Sequence, residues 1–224
     1  MKRSEINASL VWAKELLDNS CIRLPRFAYW NMDEWKANRD NIDTLRTVMQ
    51  GWDITDFGSG DFENIGAVLF TVRNGCLTAP GVGSPYAEKY LLFKDGQRLP
   101  VHYHAVKTED IINRGGGQLS MRFYNPLPDG SIDYESDVTV YSDGLPMVVH
   151  AGEEVIIERG NSVRITPRMY HIIAAKGGAL IAGEVSSVND DKTDNYFAEP
   201  VSRFADIEED VAPLHPLCNE YDQL

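Results

Sequence analysis

Two histidines and an acid are closely spaced in the stretch GQRLPVHYHAVKTEDIINRGGG, residues 96–117. On a β-strand, side chains two residues apart point to the same face, so His102 and His104 are predicted to enter the same interior. Glu109 returns to that face if the strand turns, and His171 from a later strand supplies a further donor. Three imidazoles and one carboxylate suit a divalent first-row metal that keeps one or two positions open for a substrate.

The closeness of His102 and His104 argues against a purely structural role. The chain has only five histidines. Two adjacent imidazoles buried inside a barrel without a metal would leave polar groups that are costly to satisfy. His150 and His215 are interpreted instead as ordinary core or surface residues.

Four further side chains are candidates for proton transfer or charge stabilisation. Glu184 is a carboxylate inside the apolar run GGALIAGEV, where it is unexpected without a partner. Lys107 lies between the histidines and Glu109, while Lys89 and Lys94 flank the strand that leads into the metal segment. For each lysine, a solvated surface charge is an equally good interpretation.

The polar stretch NDDKTDNYF, residues 189–197, has two interpretations. It is either a surface turn or a lid over the mouth of the barrel. As a lid it would place Asp190, Asp191 and Asp194 for hydrogen bonds to a polar ligand, with Phe197 covering the pocket. Paired acids alone are too common to predict a second metal site.

Short strands must position these residues. From about residue 62 onward, segments rich in β-branched side chains alternate with turn signals such as Asn74-Gly75 and Asp95-Gly96. This pattern predicts an antiparallel sandwich or small barrel. The run Gly115–Gly117 has no phosphate-loop context and is predicted to be a tight turn that lets the backbone pass the metal segment.

The N-terminal part of the chain has helical character. The stretch SEINASLVWAKELLDN predicts a helix with Ser4 as its N-cap, and DNIDTLRTVMQG predicts a second short helix closed by Gly51. We expect one domain, with a helical extension over residues 1–60 packed on a barrel formed by residues 61–224, which ends in a polar, acidic tail. An aromatic cluster between the helices is interpreted as packing against the rest of the fold: Phe27, Tyr29, Trp30 and Trp35.

Bulk properties exclude several classes of protein. The 224 residues suffice for one sizeable core, and the net charge of −13 argues against nucleic acid or an anionic membrane as a partner. No apolar run approaches the roughly 18 residues of a membrane span. Charged residues interrupt the N-terminus where a signal peptide would be apolar, so a cytoplasmic location is predicted. Three widely spaced cysteines indicate reduced thiols.

The spacing around the two histidines resembles the first motif of the cupins. Gly96, His102, His104, Glu109 and Gly116 match that motif throughout. The resemblance implies a double-stranded β-helix, or jelly-roll, with a metal at its centre.

A second cupin motif is met by Gly160, Pro167 and His171. It departs from the usual pattern because six residues separate the glycine from the proline, and because Ala175 stands where an asparagine often closes the motif. Together the motifs imply four metal ligands, carried over residue by residue: His102, His104, Glu109 and His171.

Two longer stretches resemble the D-lyxose isomerases, a cupin family: HYHAVKTEDIINRGGGQL and EVSSVNDDKTDNYF. The N-terminal CIRLPRFAYW is similar to the longer members of that family. This resemblance implies an aldose–ketose isomerase that interconverts D-lyxose and D-xylulose and also acts on D-mannose, forming D-fructose. It further implies a divalent metal, for which manganese is the first expectation and cobalt, iron or zinc are alternatives, and a homodimer.

Three other functions fit the same metal site. A metal dioxygenase would use the same ligands for iron and dioxygen, and a sugar-binding cupin would bind without turnover. A phosphosugar isomerase would need a basic pocket, for which Arg114, Arg164 and Arg168 near the metal segments are candidates. The overall acidity of the chain disfavours the last of these.

Overall fold

A computed structural model describes all residues from Met1 to Leu224. Its α-helices are α1 (Arg3–Asn19), α2 (Met32–Ala37) and α3 (Asp43–Thr47), and short 3₁₀ turns cover Arg26–Tyr29, Arg39–Asn41 and Tyr221–Gln223. The strands are β1 (Gly51–Thr55), β2 (Ala67–Gly75), β3 (Gly83–Phe93), β4 (His102–Tyr103), β5 (Glu109–Pro126), β6 (Ile132–Asp133), β7 (Val138–Ser142), β8 (Leu145–Val149), β9 (Val155–Ile157), β10 (Ser162–Ile165), β11 (Tyr170–Ser186) and β12 (Tyr196–Phe197). The predicted all-β architecture with helices at the N-terminus is confirmed.

Two long strands organise the sheet. The strand order is β1-β2-β3-β11-β5-β10-β7-β8, and every strand pair is antiparallel. Strands β5 and β11 pair from Glu109↔Ser186 to Tyr170↔Tyr124, so they run through the whole molecule. The short strand β4 lies against β11 and β12. Strand β11 lies between β3 and β5, and β10 lies between β5 and β7, so strands distant in the chain are neighbours, as in a jelly-roll. Alternate residues of each strand line its interior.

The sheet buries one face in the jelly-roll and the other face under helix α1. The inner core includes Leu91, Phe93, Ile111 and Phe123, all nearly or fully buried. The apolar residues of α1 recur at helical spacing and cover Trp52, Val68 and Phe70 of β1 and β2. Those helix residues are Ile6, Leu10, Ala13 and Leu17.

The predicted turn at Gly115–Gly117 is wrong, because these residues lie inside β5. They form an irregularity in the pairing of β5 with β11, opposite the segment between Lys176 and Leu180. Gly116 has a φ of +83°, and a Cβ there would collide with the carbonyl oxygen of Ala179. The glycines therefore permit a bulge and a close approach of two backbones rather than a change of chain direction.

The turn predicted at Asn74-Gly75 lies slightly later in the hairpin of β2 and β3, whereas the turn at Asp95-Gly96 is confirmed. Strand β2 continues through Gly75, and the connection to β3 falls at residues 76–82. The Asn74 side chain is buried and donates to the carbonyl oxygens of Val48 and Asn189, at 3.0 and 2.9 Å. The asparagine thus links three segments, which its sequence neighbours could not reveal.

The helix boundaries differ from the prediction at both helices. Helix α1 begins one residue before Ser4, with Lys2 as its N-cap, and Ser4 instead donates its backbone N–H and its hydroxyl to Asp210. Helix α3 ends at Thr47, and Gly51 opens strand β1 rather than closing the helix. In both places long-range contacts, and not local capping signals, determine where the helix begins or ends.

The C-terminal segment is not simply a polar tail, because it packs on the N-terminal helices. Leu217, Cys218 and Tyr221 are buried, and the guanidinium of Arg3 pairs with Glu209 and Glu220. Strand β1 also pairs fully with β2. We therefore propose a single domain whose sheet begins at residue 51, before the predicted boundary between 1–60 and 61–224.

Phe27, Trp30 and Trp35 of the N-terminal aromatic cluster pack against the rest of the fold, as predicted, whereas Tyr29 is exposed. Trp35 is 1% exposed and stacks on Tyr221 at 4.9 Å between ring centroids, while Phe27 stacks on Phe70 at 5.6 Å. The chain's own C-terminus thus covers Trp35 through Tyr221.

His215 makes stability depend on pH. Its Nδ1 lies 2.7 Å from the Trp30 carbonyl oxygen and its Nε2 lies 2.9 Å from Lys14 Nζ. Burial, followed by the charge of Lys14, lowers the pKa of His215 to about 4. Because the unfolded chain binds this proton near pH 6.5 and the folded chain does not, His215 stabilises the fold above that pH. That contribution is lost as the pH falls from about 6.5 towards 4.

Thermal melts of the wild type and of His215→Gln test this expectation. The wild type is expected to lose on the order of 2 kcal/mol more stability than the variant between pH 7 and pH 4.5. His150→Gln, which removes an exposed histidine, is the control. Parallel loss of stability in the wild type and in His215→Gln would contradict the assignment.

Candidate metal centre

Three histidines and one glutamate meet inside the jelly-roll. His102 of β4 is the cross-strand partner of His171 of β11, and His104 follows β4 directly. The imidazole nitrogens of the three histidines that could bind an ion lie within 4.8 Å of one another. Oε1 of Glu109, the first residue of β5, lies 3.2 Å from His171 Nε2 and 3.4 Å from His104 Nε2. The four side chains are 6% exposed or less.

Backbone carbonyl groups orient all three imidazoles. The Nδ1 atoms of His102, His104 and His171 lie 2.8, 2.7 and 3.0 Å from the carbonyl oxygens of Pro100, Asp194 and Met169. A carbonyl oxygen only accepts hydrogen bonds, so each Nδ1 carries the ring proton. Each Nε2 then presents a lone pair, and such second contacts fix the orientation of metal-binding histidines.

The centre of the cluster contains acceptors without donors. His171 Nε2 and Glu109 Oε1 are buried and have no hydrogen-bond partner, although they are 3.2 Å apart. Two acceptors at this distance repel each other unless a cation lies between them, and buried polar atoms without partners are rare. A set of three neutral imidazole nitrogens and one carboxylate oxygen fits a divalent first-row metal ion.

The protonation states agree with metal binding, which requires deprotonated ligands. Burial, together with the neighbouring His171 and His104, holds the pKa of His102 well below its usual value. Burial by itself raises the pKa of the Glu109 carboxyl, but the Lys107 ammonium outweighs burial and holds that pKa well below its usual range. His102 is thus a neutral ring and Glu109 a carboxylate at neutral pH.

Lys107 and Glu184 form a buried ion pair beside the cluster. Lys107 Nζ lies 2.6 Å from Glu109 Oε2, 3.0 Å from Glu184 Oε1 and 3.1 Å from Asn189 Oδ1. Although burial lowers the pKa of Lys107, its two carboxylate neighbours raise it above the usual value. Lys107 is therefore an ammonium that can donate a proton but cannot accept one.

Glu184 keeps one carboxylate oxygen free. Its Oε1 accepts from Lys107 and from the Ser186 hydroxyl, whereas its Oε2 has no hydrogen-bond partner in the protein. Strand β11 presents Glu184 to the same cavity as the histidines. The free oxygen is thus available to take up a proton from a ligand.

Lys89 lies at this cavity, but Lys94 does not. Lys89 is opposite Glu184 in the pairing of β3 with β11 and lines the cavity. Lys94 lies beyond the end of β3, and its ammonium contacts Glu63 at 2.6 Å, on a different surface. The two lysines are an odd number of residues apart, so a strand directs them to opposite faces. The candidate catalytic role of Lys94 is therefore withdrawn.

The residues of the 189–197 stretch divide into two groups. Asp191 and Phe197 line the cavity, and the Phe197 ring lies 5.7 Å from that of His102. Asp190 accepts from Lys192 and Thr193 within its own turn.

The predicted ligand-binding role of Asp190 and Asp194 is corrected by these contacts. Both carboxylate oxygens of Asp194 accept backbone N–H groups of residues 105–107, at 2.7 to 3.1 Å. Asp190 caps a surface turn and Asp194 fixes the histidine segment, so neither has an oxygen directed to a ligand.

Arg203 and Asp53 also lie in this region, although no pattern in the sequence predicts either of them as a site residue. Arg203 Nη2 donates to Asp53 Oδ2 at 2.7 Å, and its Nε donates to Asp191 Oδ1 at 3.3 Å. Asp53 belongs to β1, which the sequence assigned to the helical extension. Arg203 stands in a polar stretch where nothing distinguishes it from a surface arginine.

The cavity at the cluster has a volume of about 50 Å³. This volume has room for a few water molecules. Larger clefts of about 840 and 770 Å³ lie elsewhere and contain no histidine. We place the functional site at the small cavity, because the unpartnered atoms and the buried ion pair are there.

A jelly-roll that encloses three clustered histidines defines a cupin-like fold with a site compatible with a metal ion. Solved structures with this fold include L-ribose isomerase of Cellulomonas parahominis with L-ribose (TM-score 0.57, 15% identity, 93% of this chain and 98% of that chain). Another is L-ribose isomerase of Acinetobacter sp. DL28 in complex with L-ribose (TM-score 0.57, 13% identity, 89% and 93%). At these identities the likeness concerns the fold alone.

The chain belongs to the D-lyxose isomerase family, whose model matches residues 1–221. A D-lyxose/D-mannose isomerase of Serratia proteamaculans is 39% identical over 225 residues, covering 99% of this chain and 98% of the relative. A D-lyxose/D-mannose isomerase of Escherichia coli O157:H7 is 38% identical over 230 residues, covering 100% and 99%. The protein is therefore a sugar isomerase. No helix in it has the length and apolar character needed to cross a membrane.

Proposed function

We propose that the protein interconverts D-lyxose and D-xylulose in a metal-dependent reaction and also converts D-mannose to D-fructose. The observation that carries this proposal is the set of acceptor atoms without donors at His171 and Glu109, beside a carboxylate with a free oxygen at Glu184. The names of the full-length relatives support the choice of sugars.

The proposed metal ligands are His102, His104, Glu109 and His171, and the proposed ion is manganese, with cobalt, iron or zinc as alternatives. When bound, a divalent ion supplies Lewis-acid polarisation of the sugar oxygens and so acidifies the hydrogen on C2. The protein orients these ligands in advance through the three carbonyl contacts of the imidazoles.

Glu184 is the proposed base. Its Oε2 removes the proton from C2 of the aldose while O1 gains a proton from solvent, which gives an enediol. The O2 hydroxyl then returns a proton to solvent, C1 gains the proton held by Glu184, and the ketose results. Lys107 uses its three N–H groups on Glu109, Glu184 and Asn189, so it holds Glu184 in place and stabilises the negative charge on these oxygens through its positive charge. A direct hydride shift from C2 to C1 is the alternative, and it requires no base.

A neutral substrate fits the cavity better than a phosphosugar. Arg114, Arg164 and Arg168 do not line it. Three cations do line it, and each faces carboxylates: Arg203 contacts Asp53 and Asp191, Lys89 contacts Asp191, and Lys107 contacts Glu109 and Glu184. A phosphate would need uncompensated positive charge at this position.

Comparison of D-lyxose, D-mannose and D-mannose 6-phosphate under air and under nitrogen tests the proposal. We expect conversion of both neutral sugars, no oxygen consumption, and a kcat/KM at least about 100-fold lower for the phosphate, given the charge balance of the cavity. Oxygen-dependent turnover would indicate the dioxygenase function. Saturable binding without product would indicate a sugar-binding cupin, and preference for the phosphate would indicate a phosphosugar isomerase.

Asp194→Ala is expected to weaken metal affinity by roughly 10- to 100-fold, as is typical when a supporting contact of a metal ligand is lost. The variant frees residues 105–107 and loosens the backbone carbonyl that holds the His104 ring. Competition with a chromogenic chelator measures the affinity. Asp190→Ala is the matched control, since its hydrogen bonds stay within one turn. Equal affinities in the two variants would contradict the expectation.

We also propose a cytoplasmic location and a homodimer for the protein. The acidic net charge and the family membership support a freely dissolved sugar-metabolising enzyme. Light scattering of the purified protein measures the oligomeric state.

A further inference from the structure

The cavity has a second polar region, formed by Lys89, Asp191 and Arg203. The side chains of these residues are 5, 11 and 14% exposed. Arg203 and Asp191 come from the segment that follows β11, and Lys89 comes from β3. None of the three is needed to hold an ion at the histidine cluster.

The arginine arranges this region. Its guanidinium joins Asp53 of β1 to Asp191, with Nη2 at 2.7 Å from Asp53 Oδ2 and 3.2 Å from Asp191 Oδ1. Asp191 Oδ1 also accepts from the Asn195 side chain at 3.0 Å. Arg203 and Lys89 hold the pKa of Asp191 below its usual range despite burial, so this residue is a carboxylate. The planar guanidinium fixes its position in a way that an ammonium could not.

Two donors in this region remain unused. Arg203 Nη1 is buried and has no hydrogen-bond partner. Lys89 Nζ makes no hydrogen bond in the protein, and its only carboxylate contact is Asp191 Oδ2 at 3.5 Å. Buried donors of this kind call for an acceptor from outside the chain. Because the two cations and the two carboxylates cancel in charge, a neutral acceptor such as a hydroxyl oxygen fits better than an anion.

We propose that Arg203, Asp191 and Lys89 form the subsite for the hydroxyl at the end of the sugar chain remote from the carbonyl, with Arg203 as its positioning residue. This inference rests on the proposed function, since the metal cluster and Glu184 take the C1 and C2 end of the same sugar. The subsite then holds the other end and sets the alignment of C2 with Glu184.

The test compares D-lyxose with 5-deoxy-D-lyxose, which lacks the terminal hydroxyl, in the metal-replete enzyme. The wild type is expected to prefer D-lyxose in kcat/KM by roughly 10- to 100-fold, the value of a hydrogen bond to a charged group. Arg203→Met is expected to reduce this preference to less than about threefold, mainly by raising KM for D-lyxose. The preference of Arg203→Lys is expected to lie between those of the wild type and Arg203→Met, because lysine keeps the charge but lacks the planar set of N–H donors of the guanidinium.

Arg3→Met is the matched control. Arg3 is likewise a buried arginine between two carboxylates, but it lies outside the cavity. We expect this variant to lose stability and to keep the wild-type preference between the two sugars. If Arg203→Met does not fold, the preference between the two sugars is compared between the wild type and Arg203→Lys.

Calorimetric binding of both sugars to the same preparations separates the two proposals. An unchanged preference in folded Arg203 variants, in kinetics and in binding, would overturn the subsite. If the wild type formed no product but its binding preference for D-lyxose disappeared in Arg203→Met, the subsite would stand and the proposed isomerisation would fail.

Discussion

Replacement of Glu184 by glutamine is expected to lower kcat for D-lyxose by about 10³-fold, with the metal content unchanged. Glutamine keeps the size of the side chain and an oxygen for the Lys107 contact, but it cannot take a proton from C2. General bases contribute typically 10²- to 10⁴-fold to rates. Initial rates of ketose formation and metal analysis of the purified variant give the two quantities.

Glu88→Gln is the control for this substitution. Glu88 lies on the neighbouring strand β3, where it pairs with Arg73 at 2.8 Å, outside the cavity. We expect Glu88→Gln to retain the wild-type rate. A Glu184→Gln enzyme with more than about a tenth of wild-type kcat would exclude Glu184 as the base and favour the hydride shift.

Removal of divalent metal by a chelator is expected to lower kcat/KM by at least about 10³-fold. The reason is that a Lewis acid stabilises the charge of the transition state by several kcal/mol. Addition of manganese is expected to restore the activity. The melting temperature is expected to fall on chelation, because an ion bound only by the folded state stabilises it by mass action. Activity assays and thermal melts on the same samples measure both effects.

His171→Gln should reproduce the chelated state even in excess manganese, because it removes a fully buried ligand. His150→Gln removes an exposed histidine and should behave as the wild type. Full activity in metal-free buffer, with no bound metal detected, would contradict the proposed centre.

The metal cluster could be predicted from the sequence because its information is local. His102, His104 and Glu109 follow one another closely, and His171 at the start of a later predicted strand is a further donor, which the structure pairs with His102 across two strands. Glu184 was noticeable as a carboxylate within an apolar run. In each case the chemistry of a residue conflicts with its immediate surroundings, and that conflict is visible without coordinates.

Other parts of the site depend on contacts between distant segments. The pair of Arg203 and Asp53 joins residues 150 positions apart, and no local pattern identifies either one. Asp194 looked like a ligand-binding acid, but its carboxylate is used by three backbone N–H groups. The run Gly115–Gly117 has the sequence of a turn, but its bulge exists only in the register of β5 with β11.

Proton NMR of the metal-replete enzyme with D-lyxose, in heavy water under nitrogen, tests the central claim most directly. Our account predicts the appearance of D-xylulose with deuterium at C1, because the proton carried by Glu184 exchanges with solvent during transfer. D-Xylulose without deuterium would support the isomerase activity but would indicate a hydride shift instead of proton transfer by Glu184. Unchanged D-lyxose, with manganese, cobalt and iron each supplied, would contradict the account.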